Sequence, residues 1–287
     1  MRIVPPHQSC IIWQYPPPRK GGLEVRAPGF AAFLPADCGR PRVLRLLSLA
    51  VLIGAWQAGA LAAGPRLLPP PLAVAQALWH EATTGALWFN LSVTLLRVGA
   101  AFSIAMVLGT TLGIAMGRSR LFDKLADTWV VTLLNMPALV ITVLAYIWVG
   151  LTEAAAIGAV ALNKLPNAAV TLREGARALD TGLDEMAQVF AMPRWMRFRH
   201  VILPQLAPYI AAAARSGLSL VWKIVLVVEL LGRPNGVGFE IGTAFQLFDV
   251  THILAYTLAF VAIMLVIETF LVQPFERYAS RWRPKPN

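Results

Sequence analysis

The sequence predicts an all-α membrane protein with about six membrane-spanning helices, each about 20 residues long. Of the 287 residues, 57% are hydrophobic and only 14% are charged, and the mean hydropathy is +0.62. A soluble domain carries about 25% charged residues. Apolar runs long enough to cross a bilayer core of about 30 Å recur along the chain. They lie at 43–64, 89–117, 125–149, 154–172, 206–230 and 252–273.

The segments outside these runs divide the chain further. Residues 1–42 hold eight of the 21 prolines and show no helical period, which predicts a disordered tail. No cleavable signal peptide is predicted, because the first long apolar run begins only near Val43. Residues 72–84 predict a short helix at the membrane interface. The chain is therefore divided into a Pro-rich tail over 1–42, a transmembrane domain over 43–275 and a basic tail over 276–287.

The net charge of +10 is explained by topology. Most lysines and arginines fall on one side of the predicted spans when the N-terminus is inside, so both termini are predicted to be cytoplasmic. No nucleic-acid partner is needed to account for the charge. The two cysteines, Cys10 and Cys38, both lie in the tail, and they exclude a disulfide framework or a CxxC metal motif in the predicted membrane domain.

The longest polar segment between predicted spans is 173–204, and its pattern predicts two short helices. Thr181 followed three residues later by Asp184 is a helix start signal, which places the first helix near Gly182. Pro193 suits the beginning of a second helix. That helix is predicted to end before Pro204, where the next span begins.

The motifs of this segment resemble the "EAA" loop of bacterial ABC importer permeases. Glu185-Met186-Ala187-Gln188-Val189-Phe190-Ala191 is followed after nine residues by Val201-Ile202-Leu203-Pro204, and this spacing matches the family throughout. Over about 43–275 the chain resembles the nitrate, sulfonate and taurine branch. The further matches are Leu68-Pro69-x-Pro71, Thr94-Leu95-Leu96-Arg97, Gly117-Arg118-Ser119-Arg120, Pro137, Val228-Glu229-Leu230-Leu231-Gly232 and Gly236-Val237-Gly238.

The resemblance implies a type I importer permease whose 173–204 loop forms the coupling helices, which dock in a groove of a separate ATPase. A small residue such as Ala187 would allow close approach, and Glu185 would pair with a basic group. Met186 and Ala191 depart from the motif, and Ala191 replaces its glycine. The break between the helices is therefore expected to form without a left-handed residue. The implied coupling residues are Asp184, Glu185, Ala187, Ala191, Arg194, Leu203 and Pro204.

The same resemblance implies the partners and the location of the protein. ATP and Mg²⁺ would be bound by the partner ATPase, since this chain has no phosphate-binding loop and is expected to bind no cofactor and to be no enzyme. A soluble binding protein would deliver a small anion such as a sulfonate, taurine or nitrate. The permease is expected to form a homodimer in the inner membrane.

Charged residues inside the predicted spans are candidates for the translocation pathway. A lysine at the bilayer centre costs about 2.5–3.5 kcal/mol and must face protein or water. Lys164 and Lys223 could therefore hold an anionic solute, or each could pair with a carboxylate such as Glu229 or Glu268, or snorkel. Glu229 is a third pathway candidate. The alternative function is an ion-coupled secondary transporter, for which Glu229 and Glu268 would be the candidate carboxylates.

Overall fold

The structure is a computed structural model that describes residues 41–274. Every regular element in that range is helical. The predicted tail residues 1–40 and 276–287 lie outside the described residues. The helices are α1 (Pro41–Ala63), α2 (Pro71–Thr84), α3 (Ala86–Arg118), α4 (Arg120–Asn135), α5 (Ala138–Val149), α6 (Glu153–Arg177), α7 (Thr181–Val189), α8 (Arg194–Arg197), α9 (Leu203–Gly232), α10 (Val237–Gln246) and α11 (Val250–Ile267), with π-helical turns at Phe198–Ile202 and Glu268–Val272.

The all-α membrane fold is confirmed, whereas the number of six spans stays a prediction. Three helical stretches between residues 41 and 274 are long and apolar enough to cross a membrane, namely 86–118, 194–232 and 250–272. The helices α4 and α5 qualify only as a pair that is bent by 99°. The apolar part of α1, Leu47–Ala63, is shorter. In α6, polar residues such as Asn163 and Lys164 lower the hydropathy of a helix that other helices surround.

α6 is the central helix of the compact unit that begins at Leu49, and it packs against α3, α4, α5 and α9. Its closest neighbour is α3, where Gly109, Gly113 and Gly117 recur every four residues and so face one side of the helix. A Cβ on Gly113 would lie 2.4 Å from the carbonyl oxygen of Ala169. The glycines therefore allow the two helix backbones to approach closely.

We expect Gly113→Ala to destabilise the protein by about 1–3 kcal/mol, because the new methyl group must displace the α6 backbone. Gly99→Ala is the matched control on the same helix, since nothing lies within 4 Å of a Cβ there. Because alanine has a higher helix propensity than glycine by about 1 kcal/mol, Gly99→Ala should not destabilise the protein. Thermal unfolding of the detergent-solubilised protein would show the difference, and equal midpoints for the two variants would contradict the close contact.

The predicted span 125–149 is broken at Pro137. Met136 and Pro137 are both extended, with ψ of 128° and 133°, and Pro137 has no N–H to continue the hydrogen bonds of α4. The structure therefore shows two separate helices, α4 and α5, within the predicted span.

α6 continues through Asn163 and Pro166 without a break. The expected end of a helix before Pro204 is wrong. Pro204 lies at the beginning of α9, where the missing N–H costs little, so residues 194–232 form one continuous helical stretch through it. The second helix of the 173–204 loop is therefore joined directly to the following span.

The predicted interfacial helix is confirmed as a helix over Pro71–Thr84, and its position at a membrane interface stays a prediction. Val74 is buried, and Glu81 of α2 accepts a hydrogen bond from the Tyr256 hydroxyl at 2.9 Å. The Nε2 atom of His252 lies 3.2 Å from the other oxygen of Glu81. These contacts hold α2 against α11.

Candidate functional site

Most of the candidate functional residues lie near the two ends of α6. This helix has 25 residues and is about 37 Å long at 1.5 Å per residue. Its C-terminus leads into α7 and the 173–204 loop, which we call the loop end. Its first residue, Glu153, marks the opposite end, which we call the far end.

At the loop end, α7 begins at Thr181 and is capped by Asp180. The Asp180 carboxylate accepts a hydrogen bond from the Gly182 N–H at 2.8 Å, and the Gln205 side chain accepts one from the Asp180 N–H at 2.9 Å. Gln205 belongs to α9, so the start of α7 is tied to the helix that follows the loop. The predicted start near Gly182 is confirmed, with Asp180 as the capping residue.

The break between α7 and α8 depends on a left-handed residue. Ala191 has a φ of +48°, and its N–H donates to the carbonyl oxygen of Gln188 at 2.9 Å, while the Met192 N–H donates to that of Ala187 at 3.0 Å. The expectation that the break forms without a left-handed position is therefore wrong. An alanine adopts this conformation here, in spite of the steric cost of its Cβ.

The loop exposes a group of large apolar side chains. The exposed fractions are 83% for Val189, 72% for Phe190 and 69% for Trp195. Met196 is exposed beside them, and the Trp195 ring stacks on Phe198 with the centroids 6.1 Å apart. We call Val189, Phe190, Trp195 and Met196 the apolar loop surface.

The structure places most of the predicted coupling residues on the surface of the loop end. Ala187 is the exception, since it is only 1% exposed and lies on the inner side of α7. Its side chain already packs within this chain, and its role in close approach to a partner stays a prediction. Asp184 falls within α7, and its side chain is outside the described part of the structure. The exposed members are Glu185, Ala191, Arg194, Leu203 and Pro204.

At the far end, Arg97 of α3 is the centre of a buried ion-pair network. It is 4% exposed, and its Nη1 donates to Glu229 Oε1 of α9 at 2.7 Å. Its Nη2 and Nε donate to the carboxylate of Glu153 at 2.7 and 2.9 Å, and Arg233 also pairs with Glu153. Nη1 further donates to the carbonyl oxygen of Asn235 at 2.8 Å. One guanidinium therefore joins α3, α6, α9 and the turn after α9.

The network also holds a backbone segment that turns back along α9. A Cβ on Gly238 would lie 2.2 Å from the Leu226 carbonyl oxygen, and one on Gly236 would lie 2.5 Å from the Glu229 carboxyl group. Residues 233–236 therefore return alongside the last turns of α9 before α10 begins. Only glycine fits these close approaches, and Gly236 also has a φ of +110°.

Side chains of α3 and α9 accept hydrogen bonds from the first backbone N–H groups of this segment. Asn90 accepts from the Gly236 N–H at 2.8 Å, the Thr94 hydroxyl from the Val237 N–H at 2.9 Å, and Glu229 from the Gly238 N–H at 2.9 Å. Buried backbone N–H groups outside a helix need hydrogen-bond acceptors. The three acceptors provide this for the start of α10.

We expect Thr94→Val to destabilise the protein by about 1–3 kcal/mol, because it leaves the buried Val237 N–H without an acceptor. Thr111→Val is the control on the same helix, since the exposed Thr111 hydroxyl bonds only to carbonyls of its own helix. The thermal unfolding midpoints of the two variants would be compared in detergent. An unchanged midpoint for Thr94→Val would contradict the capping role.

Comparison with known protein families identifies the family to which this helical protein belongs. The family of binding-protein-dependent transport system inner membrane components matches residues 105–283, which is more than half of the chain. The chain belongs to this family. It is an ABC importer permease, and its relatives place it in the nitrate, sulfonate and taurine branch.

The relatives share low to moderate identity over most of their length. SsuC of Escherichia coli strain K12, a permease protein named for aliphatic sulfonate transport, is 32% identical over 76% of this chain and 83% of that protein. The taurine transport permease TauC of the same organism is 27% identical over 85% and 90%. The nitrate import permease NrtB of Synechocystis is 24% identical over 80% and 87%.

Solved structures confirm the fold of the permease. A chain of an amino acid ABC transporter aligns with a TM-score of 0.57 and 21% identity, over 70% of this chain and 97% of that one. A chain of the inward-facing methionine transporter MetNI aligns with a TM-score of 0.52 and 20% identity, over 67% and 93%.

The permease separates the three predicted pathway residues. Lys164 is 1% exposed, and its Nζ donates to Asn167 Oδ1 at 2.6 Å. A Cβ on Gly217 of α9 would lie 2.1 Å from Lys164 Cε, so this lysine is enclosed between α6 and α9. Glu229 is wholly buried in the Arg97 network. Of these three residues, only Lys223 has an exposed side chain.

Sequence reasoning missed the partners of these charges. Lys223 pairs with neither Glu229 nor Glu268. Glu229 instead pairs with Arg97, and Glu268 Oε1 lies 3.6 Å from Arg215 Nε. Residues six apart on a helix lie on different faces, which explains why Lys223 and Glu229 do not meet. The motifs around Arg97 and Glu229 were both noted, but nothing in the sequence joined them.

Proposed function

We propose that this permease forms the membrane pathway of an ATP-driven importer for a small anion of the sulfonate, taurine or nitrate kind. The names of SsuC, TauC and NrtB support this range of substrates. A soluble binding protein delivers the solute at the far end, and a separate cytoplasmic ATPase binds ATP and Mg²⁺ and docks at the loop end. Two copies of the chain form the pathway, with both termini in the cytoplasm.

The apolar loop surface is the observation that supports ATPase docking. Large apolar side chains exposed on a polar loop mark a protein-binding surface. Tryptophan is also enriched among the residues that dominate binding energy. Glu185 and Arg194 are exposed in the same loop, where they provide a charged rim around an apolar centre.

The connection between α8 and α9 supports transmission of movement from the ATPase to the membrane. α7 packs against the π-helical turn Phe198–Ile202, and that turn leads without a break into α9. A displacement of α7 and α8 is therefore passed to a helix that spans the membrane. A cavity of about 630 Å³ adjoins the start of α7. Its lining includes Arg118, Arg120, Asp123, Arg177 and Asp180.

Reconstitution tests the proposed function. The permease would be placed in liposomes with an ATPase and a binding protein isolated from the native host, and uptake of labelled taurine, an alkanesulfonate and nitrate would be measured. We expect uptake that requires ATP, the ATPase and the binding protein together. Uptake driven by an ion gradient in the absence of ATP would instead favour a secondary transporter.

A further inference from the structure

One face of α9 is exposed along most of the helix, and its middle is polar. The exposed residues recur at intervals of three or four, so they lie on one side of the helix. They are Ala212, Arg215, Ser216, Ser219, Leu220, Lys223, Val227 and Leu230, of which Arg215 pairs with Glu268 of the π-helical turn after α11. We call Ser216, Ser219 and Lys223 the polar stripe. It is about 10 Å long, since the helix rises 1.5 Å per residue.

The polar stripe does not suit contact with lipid. Lys223 lies nine residues before the end of α9, which is about 13 Å along the helix. A lysine within a membrane span faces protein or water, because its charge is costly in hydrocarbon. No acidic side chain among residues 41–274 forms an ion pair with Lys223, so within this part of the chain its charge is left to water or to a neighbouring molecule.

The apolar residues on the same face indicate a second copy of the chain as that neighbour. Leu220 and Val227 are exposed beside the polar stripe, at 42% and 39%, and they provide apolar contact area on either side of Lys223. In a two-fold dimer the same patch of both copies meets itself. Two such faces would bring the two Lys223 side chains towards a common axis.

We propose that the polar stripes of two copies line the translocation pathway and that the two Lys223 ammonium groups bind the anionic group of the solute. This inference rests on the proposed function and names the residues that select for charge. Two like charges facing each other repel, and an anion between them relieves that repulsion. Lys164 does not take this role in the present conformation, because it is enclosed between α6 and α9.

Cysteine labelling tests the proposal without a transport assay. The only cysteines, Cys10 and Cys38, would be replaced by serine, and Ser219→Cys would be introduced. Membranes would be treated with an anionic or a cationic methanethiosulfonate reagent. We expect Ser219→Cys to react with both reagents, several-fold faster with the anionic one, and to form a disulfide between two copies on oxidation.

The control variants make the outcome decisive. Leu96→Cys on α3 replaces a leucine that is 73% exposed, and we expect it to face lipid and be unreactive. Lys223→Gln should abolish the preference for the anionic reagent, whereas Lys223→Arg should keep it. The proposal is overturned if Ser219→Cys is as unreactive as Leu96→Cys, if Lys223→Gln leaves the preference unchanged, or if no cross-link forms between copies. None of these readouts needs ATP or uptake, so failure of the importer function would be seen separately in the reconstitution.

Discussion

Arg97→Leu is expected to destabilise the permease by about 3–5 kcal/mol, because it leaves the wholly buried carboxylate of Glu229 without its cation. It also removes the hydrogen bond from Arg97 to the Asn235 carbonyl oxygen, which holds the turn before α10. Glu153 is less affected, since it keeps Arg233 as a partner. Thermal unfolding in detergent, together with the fraction of monodisperse protein, measures the effect.

A double variant separates the loss of the ion pair from other effects of the substitution. The double variant Arg97→Leu/Glu229→Gln leaves no buried charge unpaired at this pair. We therefore expect it to lower the free energy of unfolding by less than the sum of the two single substitutions. Arg177→Leu is the control, because Arg177 is 44% exposed in its pairs with Asp123 and Glu174. Exposed ion pairs contribute about 0–1 kcal/mol. A similar loss for Arg97→Leu and Arg177→Leu would argue against the buried network.

Long apolar segments could be predicted from the sequence, and short buried ones could not. Helices α3, α9 and α11 follow from apolar runs of more than 18 residues. α10 has only ten residues and begins at glycines, which composition alone assigns to a turn. Its position depends on Asn90, Thr94 and Glu229, which are far away in the sequence.

The partners of buried charges were harder to predict than the charges themselves. Glu229 was one of two carboxylates considered as partners of the lysines, yet the contact is formed by Arg97, which lies 132 residues away in the sequence. Sequence proximity favours pairs within one helix, whereas the stabilising pair joins two helices. Such a contact follows from helix packing, which a single sequence does not specify.

At the loop end, the sequence predicted where the helices lie but not how they pack. The spacing of the EAA-like motif located α7 and the break at Ala191. It did not show that Ala187 faces inward, since the direction of a side chain depends on how α7 packs against the turn at Phe198–Ile202. Ala187→Arg would therefore disrupt the loop itself, and a test of ATPase docking needs an exposed residue instead.

Phe190→Asp is expected to weaken association with the partner ATPase by about thirtyfold or more and to abolish uptake. Phe190 is 72% exposed and belongs to the apolar loop surface. Loss of a dominant interface residue costs about 2 kcal/mol or more, and every 1.4 kcal/mol is tenfold in affinity. Because the side chain is exposed, the substitution should leave folding of the permease unchanged. Co-purification of the ATPase with a tagged permease measures the association.

Phe248→Asp is the matched control for this prediction. Phe248 is 85% exposed, so the chemical change and the exposure are similar, but it lies between α10 and α11, away from α7 and α8. Its φ of +56° is one that aspartate tolerates better than most residues. We expect Phe248→Asp to retain the ATPase. Equal recovery of the ATPase with both variants would mean that the apolar loop surface is not its docking site. Loss of the ATPase with Phe190→Asp alone would assign docking to the loop, through an exposed side chain that the fold of the permease does not require.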